Sequence, residues 1–200
     1  MRLTLLLLVL MVGCAADSPA GDAADSPASS PPDGLIIGTF EEVAGAGHLR
    51  AELRPSPQRG YSSRGETYGG PVRNVLFYDI AEREGRWLFS DSRRAILSQQ
   101  TVGDSGRVRA FVYVVAEADT DGDDRIDGED RRSLAVSDPG GRRIVRVAEG
   151  VERLRRVERI DDDTVLLLYD GDSGLGGVEV GIDALRVEAR AGIPPVPPAD

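Results

Sequence analysis

A mainly β fold is predicted by three observations. Aromatic residues are sparse at 5 %, while Gly reaches 24 of 200 residues, which suits strands joined by tight turns. Short apolar, β-branched runs recur between turn signals containing Gly, Pro or Asp. The stretch Arg107 to Ala118 (RVRAFVYVVAEA) is long, β-branched and uninterrupted by Gly or Pro.

The elements follow in chain order. Arg73 to Asp79 reads as a strand, a polar turn runs through Gly85, and Arg86 to Phe89 returns, with Trp87 read as core. The 107–118 strand comes next. Ser133 to Asp138 and Arg142 to Val147 form a hairpin around Pro139-Gly140-Gly141. Thr164 to Tyr169 and Gly177 to Ala189 form a last pair joined by a Gly-rich loop. Between them, Val151, Leu154, Val157 and Ile160 repeat every three residues, which matches neither a strand nor a helix.

Composition excludes several classes of function. There is one Cys, one His and no Lys, so all 24 basic residues are Arg against 34 acids. A single thiol and a single imidazole cannot build a disulfide framework or a Cys/His zinc centre. A formal charge of -10 excludes a basic nucleic-acid binder. No phosphate-binding Gly loop or dinucleotide fingerprint is present.

The first residues read as an address. Arg2 precedes an apolar run from Leu3 to Val12, too short for a helix that crosses a bilayer but the length of a signal-peptide core. The run ends in Met11-Val12-Gly13-Cys14, which resembles the lipobox of bacterial lipoproteins, with Met11 where Leu is most usual. The resemblance implies a signal peptide over 1–13 and a lipid-carrying Cys14. Ala15, where an Asp would favour the inner membrane, implies the outer membrane, with the protein facing the periplasm. Residues 14–33 repeat AADSPA and are built from Ala, Asp, Ser, Gly and Pro after the Cys. Such a segment cannot bury enough apolar surface to offset its ordering entropy, so it is expected to be a disordered tether. Residues 34–192 are the expected β domain, and 193–200 a Pro-rich tail.

A weak internal repeat lies within the domain. VLFYDIAEREGRWLF and LAVSDPGGRRIVRV share an apolar strand, an Asp, a Gly-containing turn, an Arg and a returning strand. The scheme resembles the blade units of TolB-like β-propellers. That implies a partial or small propeller-like arrangement, since four to eight blades of about 40 residues would leave no chain to spare. The alternative is a two-sheet sandwich.

One motif carries chemistry. Residues 119–130 read DTDGDDRIDGED. The spacing resembles the 12-residue EF-hand calcium loop, with Asp119, Asp121, Asp123, Asp127 and Asp130 at positions 1, 3, 5, 9 and 12. Arg125 would supply only its carbonyl at position 7, and Ile126 is the apolar residue at position 8. A hard divalent cation takes six to eight oxygens, and alternate side chains of a curled loop provide them from one side. Asp124 replaces the usual Gly at position 6, where the loop needs positive φ. Asp130 replaces the usual Glu at position 12, as in dockerin-type loops. Both changes lower the expected affinity towards about 10⁻⁴–10⁻³ M. A strand should enter the loop and a short helix around Gly128–Ser133 should leave it. Seven of the twelve residues are acidic and only Arg125 offsets them, so the loop holds -6 of the formal -10.

Other signals are weaker. His48 lacks a nucleophile-elbow Ser nearby, so a Ser–His–Asp triad is not expected. Arg142, Arg143, Arg146, Arg153, Arg155, Arg156 and Arg159 alternate with Glu149, Glu152 and Glu158, the pattern of a mixed solvated face. The sequence therefore predicts a non-catalytic, lipid-anchored envelope protein with a calcium-stabilised β domain. A propeller-type scaffold with an envelope protein partner and no metal is the second reading. A carboxylate-based hydrolase using Asp170 and Asp172 is the third.

Overall fold

The computed structural model describes residues 34–56 and 70–194. The signal peptide, Cys14, the tether and the tail beyond Pro194 lie outside the described residues. The mainly β class holds: thirteen strands form three antiparallel sheets, and the described residues contain no helix.

The N-terminal sheet holds β1 (Leu35–Ile37), β2 (Glu41–Val43), β3 (His48–Pro55), β4 (Asn74–Asp79) and β5 (Glu84–Trp87). Its order is β1-β3-β4-β5, with β2 also pairing β3. The central sheet is a meander of β6 (Ala95–Asp104), β7 (Arg107–Ala116), β8 (Arg132–Ser137) and β9 (Ile144–Glu149). The C-terminal sheet is a second meander of β10 (Val151–Arg159), β11 (Thr164–Gly171), β12 (Gly174–Gly181) and β13 (Arg186–Ala191). Three sheets stand where the sandwich alternative required two.

Strand β7 explains the stacking. Its successive side chains point to opposite faces. Ala110, Val112 and Val114 join a cluster with Val165, Leu167, Val178 and Val180 of the C-terminal sheet. Phe111, Tyr113 and Val115 join a second cluster with Val75 and Phe77 of the N-terminal sheet. A strand buried on both faces needs apolar residues at every position, so the sequence shows a run and not an alternation. Burial pushes the Tyr113 phenol far above its ordinary range, so it remains neutral, and its hydroxyl lies 3.3 Å from Ser137 Oγ.

The seam between the N-terminal and central sheets is unusually polar. Arg50 donates to Gln99 Oε1 at 3.0 Å and stacks over Phe111 at 5.1 Å, while Gln99 donates to Glu52 at 2.5 Å. By register, Arg50 and Glu52 share a face with Val75 and Phe77.

The chain passes from the central to the C-terminal sheet through the single residue Gly150, at φ 63. A side chain there would begin 2.5 Å from Asp172 Oδ2, whose exposed carboxylate can turn aside, so it is the positive φ that calls for Gly.

Three local expectations need correction. The unassigned stretch at 151–160 is strand β10. Register shifts follow Val151 and Leu154, so each bulge inserts one residue and brings Val151, Leu154 and Val157 inward at intervals of three. The expected last strand, 177–189, is two strands broken by a turn, with Leu185 at φ 49. Trp87 is not core: it is 41 % exposed, because its register partner is Leu76, on the face turned away from the central sheet.

Candidate functional site

The acidic loop 119–130 joins β7 to β8 and folds on its own side chains. Asp119 receives the Gly122 N–H at 2.7 Å on one oxygen and the Asp124 N–H at 2.8 Å on the other. Asp121 receives the Asp123 N–H at 3.2 Å, and Asp123 receives the Arg125 N–H at 2.9 Å. Each carboxylate thus closes a local turn, and the chain curls around the side chains at 119, 121 and 123. Gly122 and Asp124 take φ 84 and φ 66. The expected positive φ at position 6 is therefore present in a non-Gly residue.

Oxygens of Asp119, Asp121 and Asp123 lie within 4.8 Å of one another on an exposed surface. These three carboxylates can hold a metal ion, and nothing in the trio alone selects calcium. The other sequence-predicted ligands are placed differently. Asp127 receives the Glu129 N–H at 2.9 Å. Asp130 is buried and closes the loop: its oxygens accept Thr120 N–H at 2.5 Å, Thr120 Oγ1 at 3.0 Å and Asp127 N–H at 2.8 Å. Arg125 is exposed and contributes its N–H to Asp123.

The electrostatics follow this division. The Asp123 N–H pulls the Asp121 carboxyl down, but desolvation and the charges of Asp123, Asp130 and Asp119 outweigh it and leave Asp121 above its ordinary range. Asp130 is held below the ordinary range, first by the Thr120 N–H and then by the Asp127 N–H.

The helix expected around Gly128–Ser133 is absent. Strand β8 begins at Arg132, opposite Ala116 of β7, so the ladder resumes as soon as the loop closes. The Arg132 guanidinium donates to Gly128 O at 2.5 Å and also to Glu152 O. The arrangement is strand–loop–strand.

Sequence reasoning missed the residues that tie the loop to the rest of the fold. Arg73, just before β4, donates to Ile126 O at 3.0 Å. Arg131 meets Asp172 at 2.8 Å, and Arg132 reaches Glu152 in β10. The loop of the central sheet thus touches both other sheets. Thr120 at position 2 also accepts the Arg131 N–H at 2.7 Å. Position 2 supplies no ligand in an EF-hand-type loop, so the spacing gave no signal for it.

The remaining candidates are distributed among turns and ion pairs. Asp170 is bound by Arg155 at 2.7 Å and Arg153 at 3.0 Å, and is held below its ordinary range by those guanidinium groups. Asp172 pairs with Arg131, so each member of the proposed carboxylate pair is engaged by Arg. The Arg-rich stretch is likewise paired, with Arg146 on Glu117 and Glu149, Arg156 on Glu158, and Arg159 on Asp162. His48 lies 3.6 Å from Asp79 and lines a cleft with Arg107, Arg109, Arg142, Asp138 and Asp183.

No protein-family model matches this chain, and no curated protein matches it.

Proposed function

We propose that this is a lipid-anchored cell-envelope protein whose β domain binds calcium at residues 119–130, in a structural or binding role. The carrying observation is the convergence of Asp119, Asp121 and Asp123 around a turn with Asp124 at φ 66. An all-oxygen set on a curled loop suits a hard cation that tolerates irregular coordination, which favours calcium over the smaller, strictly octahedral magnesium. Asp119, Asp121 and Asp123 are the primary ligands. Asp127, Asp130 and the Arg125 carbonyl complete the set once the loop tightens. Because Arg73 holds the loop at Ile126, and Arg131 and Arg132, which follow it directly, meet Asp172 and Glu152, the ion acts as a brace among the three sheets. Cys14 attaches the domain to the membrane, with the protein on the periplasmic side of the outer membrane.

The test is calorimetric titration of calcium into the purified protein, with thermal melting in parallel. One site with a raised melting temperature, lost in Asp119→Ala, is the expected result. Absence of both heat and shift at millimolar calcium would reduce the loop to an acidic turn. Mass spectrometry of the mature chain checks the anchor separately: an acylated Cys14 peptide is expected, and a free thiol there refutes it.

A further inference from the structure

Four Asp–Gly pairs occur in the sequence, at 33–34, 121–122, 127–128 and 170–171. Such a pair is the least hindered place for a main-chain nitrogen to attack the preceding side chain, because Gly has no Cβ to shield it. The attack closes a five-membered ring, and its rate depends on how the two groups are held. Asp33 lies outside the described residues, and the other three pairs are held differently. In β11, Asp170 is bound by Arg153 and Arg155, and Gly171 is paired on both sides, with Val151 and with Gly174. In the acidic loop, Gly122 donates its N–H to Asp119 Oδ1 at 2.7 Å.

At Asp127–Gly128 the reacting groups are free. Among the described residues, neither the Asp127 carbonyl nor the Gly128 N–H takes part in a hydrogen bond. Gly128 is exposed, and a Cβ there would meet nothing within 4 Å, so the ring has room to close. The carboxyl group is polarised as well. Glu129 donates its N–H to Asp127 Oδ1 at 2.9 Å, on the oxygen that gains charge when Cγ is attacked. Oδ2, the oxygen that must leave, accepts no hydrogen bond among the described residues.

We propose that Asp127–Gly128 is a self-modification site, at which Asp127 becomes isoaspartate. Gly128 N bonds to Asp127 Cγ as the Cγ–Oδ2 bond breaks. Oδ2 leaves as water, with the proton of the nitrogen and one proton from solvent. A second water then opens the cyclic imide. Opening at the former main-chain carbonyl leaves the chain running through Cγ, so the backbone gains one carbon and the carboxylate moves to Cα. The Asp127 N–H meets Asp130 Oδ2 at 2.8 Å, and the extra carbon falls inside the ring that this bond closes. The consequence for the cation rests on the calcium reading above. A carboxylate held on an ion cannot turn onto its own chain's nitrogen, and the modified loop offers the ion a displaced oxygen. Occupancy therefore slows the change, and the change weakens later binding.

Trypsin cuts after Arg125 and Arg131, which places Asp121 and Asp127 on different peptides. The purified full chain is aged at neutral pH in heavy-oxygen water, with calcium or with a chelator, and digested in ordinary water. Each passage through the imide leaves a heavy oxygen in the product, and electron-transfer fragmentation locates the isoaspartate. Label and isoaspartate should gather in peptide 126–131 ahead of the peptides that hold Asp121 and Asp170, and more slowly with calcium. Gly128→Ala, at an open position, should keep the melting temperature and lose most of the label. Label that arises equally at the three pairs, or first at Asp121, overturns the proposal. So does a peptide 126–131 that stays unlabelled, whether or not calcium binds. Label at Asp127 with the same rate in calcium and chelator, and no heat in calorimetry, refutes the calcium reading and leaves the modification site standing.

Discussion

The guanidinium of Arg142, in the β8–β9 turn, lies 2.8 Å from Asp79 Oδ2 at the end of β4. It also meets Glu82 at 2.5 Å. The two strand–Asp–turn repeats are therefore stacked, and the Arg of one binds the Asp of the other. Asp79 also accepts the Ala81 and Glu82 N–H groups, as Asp138 accepts those of Gly140 and Arg142. The shared Asp is a turn-capping residue in both units.

The Arg142–Asp79 contact predicts non-additive stability. Arg142→Ala and Asp79→Ala should each lower the melting temperature by several degrees, and the double variant should lose less than their sum. Asp79 is held below the ordinary carboxylate range, first by the Glu82 N–H and further by Arg142, Ala81 and His48. A depressed acid contributes stability above its unfolded pKa and loses it as pH falls through the folded value. Wild type should therefore lose more stability than Asp79→Ala on acidification below about pH 4, measured by melting across that range.

At position 6 of the loop, Asp124→Gly should tighten calcium binding. Removing a Cβ from a left-handed residue relieves about 1 kcal/mol, or roughly fivefold in affinity. Calorimetry on the variant checks this, and unchanged affinity would mean that the loop is read in the wrong register.

Acid should weaken calcium binding earlier than ordinary Asp ligands would. Asp121 is raised, so protons compete for it at a higher pH than for an unperturbed carboxylate. Titrations stepped down from pH 7 should show affinity falling before pH reaches the usual Asp range. A calcium affinity that is flat until about pH 4 would exclude Asp121 as a ligand.

Gly140 roofs the only His. A Cβ on Gly140 would lie 2.2 Å from His48 Nε2. Gly140→Ala should displace the imidazole and destabilise the domain by about 1–3 kcal/mol, read by denaturant unfolding.

Much of this fold was legible in the sequence, for identifiable reasons. Strands β4, β7 and β11 are β-branched or Leu-rich and bounded by turn residues, so composition located them. Strand β6 was missed because its AILSQQTVGD is largely polar, as befits a strand at one side of the central sheet with an alternating, half-exposed pattern. Strand β3 was missed because HLRAELRP puts Arg50 and Glu52 against the central sheet, so charge marks the inward face. The acidic loop was legible down to the backbone of Asp124, since local hydrogen bonds determine it. The Arg73, Asp172 and Glu152 contacts were not, because they depend on how three sheets meet.

Strand β7 also bears on how the chain avoids association before it is folded. Its last seven residues, 110–116, are buried only after the sheets on both sides have closed, so an incomplete fold exposes a β-branched segment suited to intermolecular stacking. Arg107 and Arg109 stand at its start, and the seven acids of residues 119–130 follow its end. Charges flanking an unavoidable aggregation-prone segment act as gatekeepers. The loop whose carboxylates can hold a cation in the finished protein is thus also the electrostatic guard of its most vulnerable strand while the protein is being made.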